Sequence, residues 1–210
     1  MDGAAAHAVD VRVALDEPGL DGTEQRHLRA LAGLPAQGPP LTDDVRPELL
    51  RLLDLHVTTP AYVIDRLANV LAANDLARSL HPSLQPGRNL LRDVFLDLDA
   101  RARYAELPRV LRDSVAVLRT ASVDDTAGVE ELVEELIDSD EFAALWRSHD
   151  VIEKQAGTQR LQHPEVGELA LDAETFEVSG TPGHRLIVPH AAPGGLTESR
   201  LRELSEGVRA

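Results

Sequence analysis

The spacing of apolar positions changes twice along the chain. Two short apolar runs, at residues 61–64 and 70–73, flank a polar centre that contains Asp65 and Asn69. Short runs rich in β-branched and aromatic residues are typical of strands, and the polar centre predicts a hairpin turn. Pro60 suits the start of the first strand, and Asn74 can cap a helix through its short amide. The pattern over residues 60–74 therefore predicts strand, turn, strand and helix start.

Between residues 74 and 149 apolar residues recur every three or four positions, which predicts about five helices. The segment 99–120 carries one long apolar stripe, but Pro108 lies inside it and predicts a kink or a restart. The clearest helical pattern covers residues 126–137, and Ser139 is a candidate cap for the next helix. From residue 150 the period is two again, with strand-like runs at 151–152, 161, 166–171, 176–178 and 185–188. We interpret these runs as three antiparallel strands, followed by a helix over 196–207 with Thr197 as its candidate cap.

The N-terminal region divides by composition. Residues 1–20 are small and acidic, which predicts poor order, and residues 21–34 have capping-box spacing and one apolar stripe, which predicts a short helix. The stretch PAQGPP (35–40) has linker composition. A second helix is predicted from Thr42, with Leu49, Leu52 and Leu53 on one face.

This order of elements predicts an α+β fold of the PAS-like type. It has a five-stranded antiparallel sheet, a long helical insertion between strands 2 and 3, and additional N-terminal helices. The insertion is the only segment large enough to cover the apolar face of the sheet, which something must cover. A space between the sheet and the helices would be a common site for a small apolar ligand. We place the domain at residues 60–207 and a helical linker at residues 21–59.

Composition excludes several classes of function. The chain has 210 residues, a formal net charge of −15 and no cysteine, which excludes disulfides, thiolate metal sites and a cysteine nucleophile. So acidic a surface repels phosphates, so we expect no direct binding to nucleic acid. No apolar run reaches the roughly 18–20 residues of a membrane span, and the N-terminus has no signal-peptide pattern, which predicts a cytoplasmic protein. Nucleophile-elbow, phosphate-loop and zinc-protease motifs are all missing from the sequence, so we expect no enzyme, no metal and no cofactor.

Six stretches carry a resemblance to a known family. They are PAYVIDRLANVLAAN (60–74), RNLLRDVF (88–95), Leu118-Arg119, LVEELIDSDEFAALWRSHDV (132–151), GTQRLQHPEVGELAL (157–171) and RLIVPHAAPG (185–194). In this order they resemble the ligand-binding domain of MmyB-like transcription regulators over some two-thirds of the chain. The motifs around Trp146–Val151 and His163–Gly167 are the most specific, and Leu107 is a departure, because the family usually has Trp there.

The resemblance implies a PAS-like sensor for a small, lipid-like molecule, with long-chain fatty acids as the associated ligand class. It also implies that ligand occupancy controls DNA binding by an attached helix-turn-helix module of the XRE type. Residues 20–35 resemble the last helix of that module, so we expect its DNA-binding part to be missing from this chain.

Candidate ligand-binding residues follow from the apolar pattern and the resemblance. Most of the apolar ones would also be core residues in any fold, and Trp146 is interpreted first as a core wall. For His149 and His163 a structural hydrogen bond is commoner than ligand contact, and His163 before a proline favours a turn. An arginine in an apolar pocket can clamp a carboxylate, and Arg119 is preferred to Arg88, whose alternative is a salt bridge. The candidates are Val63, Val70, Phe95, Tyr104, Leu111, Val115, Arg119, Trp146, His149 and Ile187.

The alternative function is an interaction module without a physiological ligand. In that case the leucine stripes of the N-terminal helices, which include Leu28 and Leu31, would mediate homodimerisation or partner binding. The cavity would then be filled by side chains. The sequence leaves both functions open.

Overall fold

A computed structural model describes residues 44–121, 126–148 and 157–209. The helix predicted over 21–34, the linker at 35–40, the strand-like run at 151–152 and the candidate His149 lie outside the described residues. Within them, eight helices and five strands follow one another in the order predicted for the PAS-like fold.

The elements alternate as strands, helices and strands again, framed by one helix at each end. In chain order they are α1 Pro47–Leu55, β1 Tyr62–Ile64, β2 Val70–Ala73, α2 Asp75–Leu80, a 3₁₀ turn Pro82–Leu84, α3 Leu90–Leu96, α4 Leu98–Arg101, α5 Leu107–Ala121, α6 Thr126–Leu136, α7 Asp140–Arg147, β3 Gln159–His163, β4 Gly167–Glu177, β5 Arg185–His190 and α8 Leu196–Arg209.

The five strands form one curled antiparallel sheet with the order β2-β1-β5-β4-β3. The hairpin strands therefore end up beside the last strand of the chain, and the helical insertion α2–α7 connects the two edges. This arrangement confirms the predicted fold class. Cross-strand pairing places Tyr62 between Ala73 and Ile187, and Thr175 follows Ile187 on the next strand.

The two faces of the sheet enter different apolar clusters. The sheet cluster lies on the inner face and includes Ile64, Val70 and Ile187, covered by α2 and α8. The outer cluster lies on the opposite face, where Val63 packs with Leu49 and Leu53 of α1. A change of register between Val63 and Ile64 accompanies this division of the hairpin residues between the faces.

The helical insertion has its own core and is bonded to both edges of the sheet. Its helix cluster contains residues of α3, α5, α6 and α7. At the β2 edge, Val70 N–H donates to the Arg88 carbonyl at 2.8 Å, and Gly87 N–H donates to the Val70 carbonyl at 2.8 Å. At the β3 edge, Ala105 N–H donates to the Arg160 carbonyl at 3.1 Å, and Gln162 N–H donates to the Arg103 carbonyl at 2.7 Å. The insertion therefore spans the concave face from edge to edge.

Polar side chains start three of the described helices, and for Asn74 and Ser139 the sequence predicted this role. Asn74 accepts from Ala77 N–H and caps α2, Asn89 accepts from Leu91 and Arg92 N–H and caps α3, and Ser139 accepts from Phe142 N–H and caps α7. Asn74 also accepts from Ala61 N–H, and it donates to the carbonyls of His56 and Thr59. One amide thus joins the end of α1 to the starts of β1 and α2.

Four boundaries test the predictions in detail. The stripe over 99–120 is interrupted, and α5 restarts at Leu107 with Pro108 in its first turn, which confirms the prediction for that proline. α1 begins at Pro47, later than predicted, because residues 44–46 are not helical and a proline fits best in a first turn. Thr42 itself lies outside the described residues. The strand-like runs at 166–171 and 176–178 belong to one strand, because β4 is continuous from Gly167 to Glu177. The prediction that Thr197 caps α8 was wrong, because the helix already begins at Leu196. The Thr197 hydroxyl instead accepts from Ala170 N–H and so ties α8 to β4.

Candidate functional site

The candidate site lies where the sheet cluster faces the helix cluster. Two partly buried side chains, Leu90 and Tyr104, pack against both clusters. The backbone of Tyr104 also forms a bridge with Leu161 of β3. The boundary between the clusters is therefore a contact of two separate apolar surfaces, with Tyr104 at their junction.

Tyr62 and Tyr104 are recessed without being sealed into the core. Burial raises the pKa of Tyr62 to about 12. Burial also raises the pKa of Tyr104 well above its usual value, with a contribution from the nearby Tyr62 and Asp93. Yet both side chains remain only half-buried and keep accessible surface. A phenol that is desolvated by protein and still accessible lies in a recess, where an apolar group can contact its ring.

His81 borders this recess as a neutral imidazole. Its ring centroid lies 4.8 Å from that of Tyr104, and its Nδ1 accepts from Ser83 N–H at 3.2 Å. Nε2 is buried and makes no hydrogen bond of normal geometry within the described part of the chain. Burial lowers the pKa of His81 to about 4, Arg103 adds to the shift, and the backbone of Ala100 opposes it only in part. The histidine therefore carries no charge at neutral pH.

Arg185 brings a cation to the inner face of the sheet. It lies between Ile64 and Glu177 across the strands and shares its face with Ile187. Its Nη2 donates to the main-chain carbonyl of Asp65 at 3.3 Å, while its Nε is buried without a hydrogen-bond partner among the described residues. Burial lowers the pKa of Arg185, a sign that its positive charge is incompletely compensated.

The inner face next to Arg185 is open. In the second half of β4 the inward positions Ala173, Thr175 and Glu177 are exposed. The register places Thr175 beside Ile187 and Glu177 beside Arg185. The concave face therefore has an accessible strip that leads from solvent toward the apolar residues of the sheet cluster.

The structure divides the predicted site residues into groups. Val70 and Ile187 lie in the sheet cluster, Phe95, Leu111 and Val115 lie in the helix cluster, and Tyr104 lies between them. Val63 is fully buried on the opposite face of the sheet, against α1, and so does not meet the others. His149 lies outside the described residues.

Arg119 and Trp146 form a structural unit at the end of α7. The Arg119 Nη2 donates to the carbonyls of Leu145 and Trp146 at 2.9 and 2.8 Å. Its guanidinium also lies over the Trp146 ring, 5.3 Å from the centroid, and that ring stacks on Phe142 at 5.7 Å. The cation therefore stabilises the helix C-terminus, where carbonyls lack partners within the helix.

Arg88 and His163 have structural roles, in a salt bridge and in a turn, as the sequence also allowed. Arg88 forms ion pairs with Asp93 and Asp97. The His163 Nδ1 accepts from the main-chain N–H groups of Glu165 and Val166, while its Nε2 lies 2.9 Å from the Ser79 carbonyl. The prediction that His163 fixes the turn before β4 is confirmed.

Sequence reasoning did not select Tyr62, His81 or Arg185. A signal for Arg185 was available, because the alternation of residues 185–188 places it on the face of Ile187. Tyr62 shares the face of Ile64 by the same rule. His81 gave no such signal, since its environment depends on Tyr104, which is distant in sequence.

Other features of the described residues bear less on this site. A separate cleft of about 290 Å³ lies between α1, α2 and the end of α8, lined by residues that include Leu53, Asn74 and Val208. Within the described ranges, no group of three or more histidine or acidic side chains could hold a metal ion. None of the described helices is long and apolar enough to cross a membrane.

The fold defines a PAS-like α+β domain, in which a helical insertion covers the concave face of a five-stranded sheet. The family model of the MmyB-like transcription regulator ligand binding domain matches residues 45–204, more than half of the chain. The chain therefore belongs to this family of ligand-binding domains of transcription regulators, which is not an enzyme family. The match begins before β1 and includes α1. A comparison with curated proteins found no similar sequence.

Proposed function

We propose that this domain binds a small apolar ligand of the fatty-acid class between the inner face of the sheet and the helical insertion. The observation that carries the proposal is the pair of recessed tyrosines, Tyr62 and Tyr104, which are desolvated yet accessible. Val70 and Ile187 would line the sheet side of the ligand, and Phe95, Leu111 and Val115 the helical side. Arg119 and Trp146 would support the helical wall. Val63 has no part in this site because it faces α1.

Ligand occupancy would act on the regulator through α1. This helix packs on the outer face of the same strands that line the site, and Asn74 ties its end to the starts of β1 and α2. A ligand can shift such a contact only if it binds one of two arrangements more tightly. The proposal assigns no direct nucleic-acid contact to this acidic chain, and it takes residues 21–59 as the link to the rest of a cytoplasmic regulator.

The test is native mass spectrometry of the purified protein with organic extraction of the bound material. We expect a discrete added mass that extracts as a fatty acid, together with a higher melting temperature on addition of dodecanoic to octadecanoic acids. An unliganded mass with no thermal shift for any of these acids would contradict the proposal.

A matched pair of variants locates the ligand. Ile187→Phe adds volume on the inner face, and Val188→Phe adds the same kind of side chain on the outer face of the same strand. We expect Ile187→Phe to weaken binding and Val188→Phe to leave it unchanged. Equal loss in both variants would place the ligand elsewhere.

A homodimeric interaction module is the second candidate function, because α1 and the bend that follows it expose apolar side chains. Leu50, Leu52, Leu55 and Val57 are 41, 39, 76 and 51% exposed. Leu49 and Leu53 are buried on the sheet, so their replacement would test stability instead of association. We expect Leu52→Ser with Leu55→Ser to dissociate a dimer in light scattering under this candidate. An oligomeric state that these changes leave unaltered would count against it.

A further inference from the structure

Arg185 differs from Arg101 and Arg160 in having no ion pair among the described residues. Arg101 and Glu141 approach to 2.6 Å, and Arg160 and Glu168 approach to 2.8 Å. In the described residues no carboxylate lies within ion-pair distance of Arg185, although its Nε is buried. A partly buried cation without such a partner carries a desolvation cost, which another group can compensate.

The two nearest acidic residues are not available as ion-pair partners. The Asp65 carboxylate is occupied by the hairpin, because it accepts from Leu67 N–H, Asn69 N–H and the Asn69 side-chain amide at 2.7–2.9 Å. Glu177 stands opposite Arg185 on the neighbouring strand, but its side chain is exposed to solvent. The guanidinium thus keeps unused donor capacity at the concave face.

The surroundings of Arg185 specify the kind of anion that fits. Ile64 and Ile187 on the same face offer apolar contact, and Tyr62 next to Ile187 offers a phenolic hydroxyl. Asp65 and Glu177 add negative charge nearby, which disfavours a doubly charged group such as a phosphate. A planar, singly charged carboxylate on an apolar chain matches the fork of guanidinium donors and the apolar rows beside it.

We propose that Arg185 is the position that binds the acid group of an apolar monocarboxylate, with the ligand chain extending along the inner face toward Tyr62 and Tyr104. This rests on the proposed function and adds the polarity of the ligand and its orientation. The exposed strip Ala173–Thr175–Glu177 then lies at the acid end, and the helix cluster lies at the methyl end. The assignment moves carboxylate recognition from Arg119, which caps α7, to the sheet.

The experiment compares dodecanoic acid, dodecanol and dodecyl phosphate by isothermal titration calorimetry. The proteins are the wild type, Arg185→Gln and the control Arg160→Gln, which removes an exposed arginine on the neighbouring part of the sheet. We expect the wild type to prefer the acid to the alcohol. Arg185→Gln should weaken acid binding about 10- to 100-fold, as for a lost charged hydrogen bond, and change dodecanol binding by no more than about twofold. Arg160→Gln should keep the wild-type preference.

Each other outcome overturns a stated part of this assignment. Equal binding of acid and alcohol by the wild type would leave the apolar site standing and refute recognition of the acid by Arg185. Tighter binding of dodecyl phosphate would refute the monocarboxylate, and failure of all ligands to bind would refute the proposed function as well. A melting temperature of unliganded Arg185→Gln several degrees below the wild type would show a structural role and overturn the proposal, since loss of a poorly compensated charge should not destabilise the fold.

Discussion

Replacement of Asn74 by alanine should be among the most damaging single changes in this domain. Its side chain is buried and makes four hydrogen bonds of 2.6–3.1 Å, accepting from the main-chain N–H groups of Ala61 and Ala77 and donating to the carbonyls of His56 and Thr59. At about 1 kcal/mol for each bond, Asn74→Ala should lower the free energy of unfolding by about 4 kcal/mol. The adjoining cleft admits water to some of these groups, which reduces the expected loss to about 3 kcal/mol.

The assay is guanidinium unfolding followed by the fluorescence of the single tryptophan. Ser139→Ala is the control, because it removes one cap hydrogen bond of 3.4 Å and should cost about 1 kcal/mol or less. Asn74→Asp keeps the oxygen that accepts from both N–H groups but directs a second carboxylate oxygen at two carbonyls, so we expect its stability to fall below that of the wild type as well. A loss below about 1 kcal/mol for Asn74→Ala would refute the view that this amide joins α1 to the sheet.

Three further predictions concern ionisation and the tryptophan environment. Tyr62 and Tyr104 are the two tyrosines of the chain, and burial raises both pKa values, so absorbance should show little phenolate at pH 10–11 in the folded protein. The free energy of unfolding should fall between pH 10 and 12, and normal titration of the tyrosines near pH 10 would contradict the recess. The pKa of His81 is lowered to about 4, so its neutral form stabilises the fold above pH 6.5, and this stability is lost as the pH falls toward 4. The free energy of unfolding should decrease from pH 7 to pH 5 by about 2 kcal/mol more in the wild type than in His81→Gln. An equal decrease in both proteins would be evidence against a buried neutral imidazole. Arg119→Ala should shift Trp146 emission to longer wavelength, because two carbonyls and the indole lose their cation, and an unchanged spectrum would refute that contact.

Local chemistry was sufficient to predict much of this fold. Asn74, Asn89 and Ser139 act through backbone groups two or three residues away, so their caps can be recognised from the sequence. Pro108 likewise has a local effect that does not depend on tertiary structure. These signals, together with the return to strand periodicity after residue 150, were enough to place the helical insertion inside a five-stranded sheet.

It was harder to predict on which face of the sheet each residue lies. Val63 was grouped with Val70 because both are apolar and β-branched, but the change of register in the hairpin directs them to opposite faces. The second half of β4 carries Glu174, Thr175 and Glu177 on a strand that is exposed on both faces, so it shows no alternation of apolar and polar residues. A pattern of burial can be predicted only where one face is buried.

The same limit applied to the candidate site. Arg119 was selected because Leu118 beside it lies on the core stripe, but its partners are carbonyls on α7, more than twenty residues further along the chain. The recess around Tyr62, Tyr104 and His81 joins segments from the first strand, the insertion and the end of α2. Desolvation of such groups arises only from the assembled fold.

The hydrogen bonds between the insertion and both outer strands also bear on edge-to-edge pairing of this sheet with other chains. An unpaired strand edge is a template for another chain, and β2 and β3 are the two edges of this sheet. Main-chain groups near Gly87 occupy one edge, and those of Arg103 and Ala105 occupy the other. An unliganded domain with an accessible concave face would otherwise be a candidate for cross-β aggregation. These contacts pair part of each edge within the chain and so leave less of β2 and β3 open to a second chain.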